Sequence, residues 1–300
     1  MQKKNNSYRS GFVAILGRPN VGKSTLMNAL VGEKVAITSS RAQTTRNRIM
    51  GVMTRENLQI LFLDTPGLHA PRNKLGEYMM GTVQDALDGI DAVILMLDAT
   101  DVRNADMEIL EKYGSLPVKR ALVVNKIDQV NSDTLAPLLE RLSTQPMDAF
   151  VPISALKKNG LDRLVGQLAS WMPQGPQYFP DDMVTDQPER QVCAEIIREK
   201  LLLCLDKEIP HGTAVELIRF AERERDGVIE IDATIYCEKD SHKGIIIGKG
   251  GAMLKKISTL ARQDIERFMG AKVYLQTWVK VKENWRDNLN LIHDFGYKDE

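Results

Sequence analysis

Five short runs of nearly continuous apolar residues punctuate the first half of the chain: GFVAILG from Gly11, LQILFLD from Leu58, AVILMLD from Ala92, RALVVNK from Arg120 and AFVPISA from Ala149. Runs of this kind, bounded by polar or turn-forming residues, read as strands buried on both faces. Amphipathic stretches lie between them, the first being STLMNALVG, and strands interleaved with helices predict an α/β domain with a mostly parallel central sheet. From Pro173 to Pro188 the pattern lapses into PQGPQYFPDDMVTDQP, a proline-rich stretch without apolar periodicity, which reads as an extended linker. A helical pattern resumes in ERQVCAEIIREKLLLCL, with Val192, Ile196 and Leu203 on one face. Two alternating strands follow, TAVELIRFAE and GVIEIDATIYCE, then a glycine-rich loop over Gly244–Gly251, the helix AMLKKISTLARQDIERFM, the strand KVYLQTWVKVK and a short last helix. The predicted organisation is an α/β domain over residues 1–174, a linker over 175–188 and a smaller α+β domain over 189–300.

At 300 residues, of which 43% are apolar, the chain has enough material for two separate cores. Forty basic and forty acidic residues cancel, which by itself argues against a polyanionic partner. The distribution changes that picture. Lys243 to Arg286 holds ten Lys and Arg against three Asp and Glu, whereas Pro176 to His242 holds eight against sixteen. One half of the C-terminal domain is therefore basic, as a nucleic-acid surface requires. The start, MQKKNNSYRSG, lacks the apolar block of a secretory signal, and no uninterrupted apolar run is long enough to span a bilayer, so a soluble, cytoplasmic protein is expected. Cys193, Cys204 and Cys237 show no metal-type spacing and read as reduced, mostly buried thiols. His69, His211, His242 and His293 share no spacing with them, and no zinc site is predicted.

The strand ending at Leu16 runs into Gly17-Arg18-Pro19-Asn20-Val21-Gly22-Lys23-Ser24-Thr25, which opens a helix. Gly17 and Gly22 let successive backbone N–H groups curl inward onto phosphate oxygens, and the helix N-terminus adds a favourable dipole. Lys23 neutralises the β and γ phosphates, and the Ser24 hydroxyl is placed to ligate Mg²⁺, a hard ion that prefers oxygen. LQILFLD ends in Asp64-Thr65-Pro66-Gly67, putting a carboxylate at the C-terminal edge of the sheet, where ligands bind in such folds. Asp64 is expected to hold the same Mg²⁺, and the Gly67 N–H to approach a γ phosphate. Between these two motifs the polar stretch Ser39–Asn47 reads as a loop ordered by ligand, in which Thr45, in preference to Thr44, completes the magnesium shell.

RALVV runs into Asn125-Lys126-Ile127-Asp128, and AFVPI into Ser154-Ala155-Leu156. A carboxylate at Asp128 accepts from the guanine N1–H and exocyclic amine, whereas adenine has no N1–H and leaves that charge unpaired. The Lys126 stem can lie across the base, the Asn125 amide can tie base to loop, and the Ala155 N–H can meet O6. Taken in this order, the four motifs resemble the translation-factor branch of small GTPases. That resemblance implies GTP and GDP as ligands and GTP hydrolysis as the reaction. Leu68 follows Gly67 where Ras-like enzymes carry a water-orienting glutamine. Relatives with such a change recruit K⁺ through an asparagine at the position of Asn20, so the resemblance implies slow, potassium-assisted turnover, with Lys23, Thr45, Asp64, Gly67 and Asn20 as the catalytic set.

In the second domain, Gly248-Lys249-Gly250-Gly251 leads into a helix. A GxxG loop in that setting clamps the backbone of about four single-stranded nucleotides. Ile245, Ile246 and Ile247 are placed to line an apolar groove for bases, with Lys249, Lys255, Lys256, Lys280 and Lys282 meeting phosphate. Trp278 and Trp285 interleave with these cations, and Trp278 is expected in the core. The loop and element order, read as helix, strand, strand, GxxG, helix, strand, resemble a type II KH domain.

With its QTTRN, EIIREKLL and WVKVKENW segments added, nearly the whole chain resembles the Era-type family of bacterial GTPases. What this implies is small-subunit ribosomal RNA, bound near its 3′ end, and the small ribosomal subunit as partners. It also implies a role in subunit assembly and a cytoplasmic location with peripheral attachment to the inner face of the cell membrane; no DNA partner and a monomeric state are expected. A scaffold that binds RNA around a purely structural guanine nucleotide is the alternative. A two-G-domain ribosome factor is disfavoured, because the sequence holds one P-loop.

Overall fold

The computed structural model describes residues 8–39, 41 and 43–297. The start through Ser7, and Ser40 and Ala42 of the polar loop, lie outside the described residues. By internal contact the chain divides into two compact units, Met1–Ala70 with Met79–Asp186 and Pro71–Tyr78 with Gln187–Glu300.

Through Trp171 the elements are β1 (Arg9–Leu16), α1 (Lys23–Val31), β2 (Ile49–Arg55), β3 (Leu58–Asp64), α2 (Lys74–Asp85), β4 (Ala92–Asp98), α3 (Asn104–Tyr113), β5 (Lys119–Asn125), α4 (Ser132–Ser143), β6 (Ala149–Pro152) and α5 (Leu161–Trp171). The sheet runs β2-β3-β1-β4-β5-β6 and is parallel except for β2, which pairs antiparallel with β3. Successive residues of β1 enter different cores. Val13 and Ile15 join one with Leu26 and Met27 of α1 and Leu164 and Leu168 of α5, while Ala14 and Leu16 join the other with Val83 of α2 and Ile109 of α3. Burial on both faces is what removes strand alternation from the sequence. β2 is a sixth strand beyond the five apolar runs. Its IMGVMTR is interrupted by Gly51, where a side chain would come within 3 Å of Val31 and Met27, so α1 packs directly on that backbone.

The linker stretch forms no helix or regular strand, yet it is held along the sheet edge. Val52 N–H donates to the Val184 carbonyl at 2.8 Å, the Thr185 hydroxyl to that of Met50 at 2.7 Å, and Gln59 bonds the backbone of Tyr178 and Phe179. Residues up to Asp186 accordingly belong with the first unit.

The C-terminal unit contains α6 (Glu189–Cys204), β7 (Ala214–Glu222), β8 (Ile229–Cys237), α7 (Asp240–Ile247), α8 (Ala252–Met269), β9 (Val273–Val281) and α9 (Leu289–Asp294). Its sheet runs β7-β8-β9, antiparallel then parallel. The parallel β8-to-β9 connection passes through α7 and α8, and Ile197 and Leu201 (α6), Ile246 (α7) and Ile257 and Ile265 (α8) cover one sheet face.

Three expectations need correction. The residues before Gly248 are the helix α7 and not a loop, so the order is helix, strand, strand, helix, GxxG, helix, strand. Ile246 is fully buried in the core and cannot line a groove, whereas Ile245 is 49% exposed. The two tryptophans exchange roles: Trp278 is 45% exposed, while Trp285 is fully buried and donates its indole N–H to the Gly212 carbonyl at 2.9 Å. Arg286 beside it pairs with Glu238.

Candidate functional site

The P-loop joins β1 to α1, and two close approaches shape it. Gly17 has φ +155° and a side chain there would lie 2.5 Å from the Met96 carbonyl oxygen; Gly22, at φ +103°, faces the Asn125 amide and caps α1. Lys23 is buried, and its ammonium group donates to the Gly17 and Arg18 carbonyls at 3.3 and 3.2 Å. Burial pushes its pKa down to about 8, against the pull of the nearby Asp64 carboxylate.

Asp64 ends β3, opposite Ile15 of β1 and Ile49 of β2. One carboxylate oxygen accepts from the Ser24 hydroxyl at 2.5 Å and from the Thr45 hydroxyl at 3.2 Å, and those two hydroxyls stand 2.9 Å apart. The other oxygen is buried without a hydrogen-bond partner. Burial raises the pKa of this carboxyl, and Lys23 and the two hydroxyls pull it the other way. Three oxygen-bearing side chains from three segments thus converge on one point. Thr44 points elsewhere, its hydroxyl donating to the Arg41 carbonyl at 2.7 Å.

Gly67 packs on the P-loop: a side chain would lie 2.6 Å from the Pro19 backbone, and the next N–H, of Leu68, donates to the Gly17 carbonyl at 3.0 Å. The Thr65 hydroxyl bonds the Ile15 carbonyl at 2.9 Å, and both Thr65 and Pro66 are buried. A cleft of about 310 Å³ is lined by Pro19, Asn20, Gly22, Lys23, Ser24, Thr25, Thr38, Ser39, Gln43, Thr44, Thr45, Gly67 and Lys126. Asn20 takes a left-handed φ of +66°.

At the other end, the Asn125 side chain donates to the Val21 carbonyl at 2.8 Å and accepts from the Ala155 N–H at 2.9 Å, tying the P-loop to the loop after β6. The Ala155 N–H, expected to meet a base oxygen, is engaged in that bond. Ser154 closes its loop by accepting from the Lys157 N–H at 3.1 Å, and Leu156 is 68% exposed. Asp128 is exposed on a short turn, Ile127–Gln129. Arg18 and Val21 do not line the cleft: Arg18 pairs with buried Asp106 at 2.7 Å, and Val21 is core.

In the C-terminal unit, Gly248, Gly250 and Gly251 have φ of +72°, +58° and +80°, so the loop before α8 is left-handed throughout its glycines. Lys249, Lys255, Lys256, Lys280 and Lys282 are exposed, and Ile247 is partly buried. Lys280 does not share the helix side of the sheet; it alternates with core-facing Val279 and points to the opposite face.

A family model described as "50S ribosome-binding GTPase" matches residues 12–126, and one described as "KH domain" matches residues 208–286. The GTPase Era of Alkaliphilus metalliredigens is 50% identical over 97% of this chain and 100% of its own length. That of Clostridioides difficile is 50% identical over 98% and 100%. The chain belongs to the Era family of GTPases. Among solved structures, Era in complex with MgGDPNP and nucleotides 1506–1542 of 16S ribosomal RNA superposes with a TM-score of 0.94, at 39% identity over 97% of this chain and 100% of the other. An Aquifex aeolicus Era variant bound to GDP.AlF4⁻ superposes at 0.93 with the same identity and coverage. As an Era-family member the protein is a GTPase with a KH domain behind its P-loop domain.

Asp98 is a residue that motif reading passed over. It ends β4 as Asp64 ends β3, accepts from Thr100, and holds the Lys126 ammonium group at 2.5 Å. The signal was present in the sequence: both aspartates close a nearly continuous apolar run at the same sheet edge.

Proposed function

We propose that this Era-family GTPase binds Mg-GTP in the P-loop cleft and acts as a nucleotide-switched factor in small-subunit assembly, holding ribosomal RNA near its 3′ end through Gly248–Gly251 and the surrounding cations. The observation that carries the nucleotide half is the convergence of the Ser24 and Thr45 hydroxyls on the Asp64 carboxylate, whose other oxygen is buried without a hydrogen-bond partner. Burying a carboxylate so incompletely satisfied is costly unless a cation completes it, and an all-oxygen set suits Mg²⁺. Magnesium, when bound, neutralises charge on the β and γ phosphates. The relative solved with MgGDPNP and 16S RNA carries the same pairing of ligands.

The remaining work belongs to the chain. Lys23 gives up the Gly17 and Arg18 carbonyls for phosphate oxygens, the P-loop amides hold the chain of phosphates, and Gly67 presents its N–H where a γ phosphate ends. Lys126, oriented by Asp98, covers the base, and Asp128 selects guanine. Leu68 has no polar group to orient water, so turnover is slow, and Asn20 at the cleft wall holds K⁺ to assist it. Single-turnover hydrolysis in potassium and sodium buffers tests this: faster decay in potassium is expected, and equal rates remove the potassium role. No hydrolysis in either would leave the scaffold reading.

The RNA half is tested by RNA affinity with GTP analogue, with GDP and without nucleotide. Switching requires a difference among the three, because a ligand that binds both states equally shifts nothing. The same reading expects a cytoplasmic monomer whose peripheral attachment to the inner membrane face is released by high salt.

A further inference from the structure

The face of the C-terminal sheet turned away from the helices is half covered. Register places Tyr274, Gln276, Trp278 and Lys280 of β9 beside Glu230, Asp232, Thr234 and Tyr236 of β8 on this face, with the core-facing residues alternating between them. At one end the ring of Phe295 stacks on Tyr236 at 4.4 Å and Trp285 packs against Phe295, closing that part of the sheet. At the other end Tyr274 and Trp278 stand 49% and 45% exposed. They are four residues apart on one strand face, roughly 13 Å along the strand. The Tyr274 hydroxyl accepts from the Gln276 amide at 2.9 Å, a contact between neighbours on the exposed row.

We propose that Tyr274 and Trp278 form a stacking platform for single-stranded RNA, outside the GxxG groove and on the opposite face of the sheet from it. This rests on the RNA reading of the KH domain. Two rings on an otherwise polar, open sheet face match the way aromatic side chains on a sheet receive splayed bases. Continuity with the GxxG loop favours RNA over a protein partner. Thr277, next to Trp278, bonds Ser258 of α8 at 2.7 Å, and Ser258 lies seven residues from Gly251, about 10 Å along the helix. A strand leaving the GxxG clamp can therefore pass over the edge strand β9 onto the rings. Of the acidic side chains beside them, Glu230 is paired by both Arg219 and Arg223, and Lys280 is exposed at the end of the row.

The test uses the full chain with RNA of nucleotides 1506–1542 of 16S ribosomal RNA, the segment bound by the solved relative, and with four-nucleotide pieces of it. Trp278→Ala and Tyr274→Ala are each expected to weaken the long RNA about tenfold while leaving the short pieces unaffected. Gly248→Asp weakens both lengths. RNA is also expected to quench emission from Trp278, and this quench disappears in Trp278→Phe while most of the affinity remains. Parent-like binding of the long RNA by both alanine variants overturns the platform while the Gly248→Asp loss leaves the KH reading standing. If Gly248→Asp also binds like the parent, the KH reading itself falls. Trp278 emission that ignores RNA but shifts with small-subunit proteins assigns the face to a protein and overturns the proposal. Both rings are exposed, and unchanged thermal melts of the alanine variants confirm that lost binding is not lost folding.

Discussion

A side chain added at Gly17 or Gly67 would run into backbone, 2.5 Å from the Met96 oxygen and 2.6 Å from Pro19, whereas at Gly250 or Gly251 it would meet nothing within 4 Å. In the nucleotide site glycine is required because another segment occupies the space. In the KH loop Gly248 combines both demands, since a side chain there would lie 2.7 Å from Met253, whereas at Gly250 and Gly251 glycine is required by left-handed backbone alone and the space above is open. The charges follow the same division. Lys23 and Asp64 are buried and perturbed, while the lysines around Gly248–Gly251 stand in solvent. The first site is assembled by tertiary packing around buried charged side chains, and the second is an open surface carrying exposed lysines.

Gly67→Ala attacks the first kind of glycine and carries the largest expected effect. Its methyl group forces the Asp64–Gly67 loop off Pro19, and GTP hydrolysis should fall by more than about 100-fold, the scale of losing one positioned donor. Phosphate-release assays with the RNA affinity measured in parallel check this, because the KH loop should be unaffected. Asp64→Asn separates function from stability. Magnesium-dependent GTP affinity should drop by about 100-fold, yet the nucleotide-free protein should melt at a higher temperature, since a buried and incompletely bonded carboxylate is removed. A lower melting temperature would show that the carboxylate is stabilising as it stands.

Lys23 gives the nucleotide site a pH dependence. Below its free value of about 8 it is charged with and without nucleotide, so GDP affinity should be flat. Above that value each binding event must take up a proton, and affinity measured without magnesium should decline toward about tenfold per pH unit. Calorimetry in buffers of different ionisation enthalpy reads the proton directly. Gly250→Ala is the mildest change. At φ +58° alanine costs about 1 kcal/mol of strain, so RNA affinity should fall about fivefold with intrinsic GTP hydrolysis unchanged.

Legibility in the sequence follows the same physics. Strands buried on both faces announce themselves as nearly unbroken apolar runs, so the first fold could be read there, and the P-loop, DTPG, NKID and SAL segments at their ends are the local motifs from which the candidate cleft is built. β2 could not, because Gly51 and the adjacent polar loop break its run for the sake of close packing with α1. α7 was hidden by reading Gly244 and Gly248 as one loop, when only Gly248 has a positive φ and ends the helix. Which tryptophan is buried depends on Phe295 and Tyr297, aromatic partners some ten residues beyond Trp285 that no local pattern reveals. Arg18 and Ala155 lie in the right motifs but spend their bonds on Asp106 and Asn125, a tertiary fact.

The central claim is that the P-loop cleft and Asp128 read one guanine nucleotide from its two ends. Calorimetric titration of the parent and of Asp128→Asn with GDP, XDP and ADP tests it most directly. The parent is expected to take GDP and reject ADP and XDP, and Asp128→Asn, which can donate to the extra carbonyl of xanthine, to exchange GDP for XDP. Equal uptake of ADP and GDP by the parent, or undiminished GDP binding by Asp128→Asn, would contradict it.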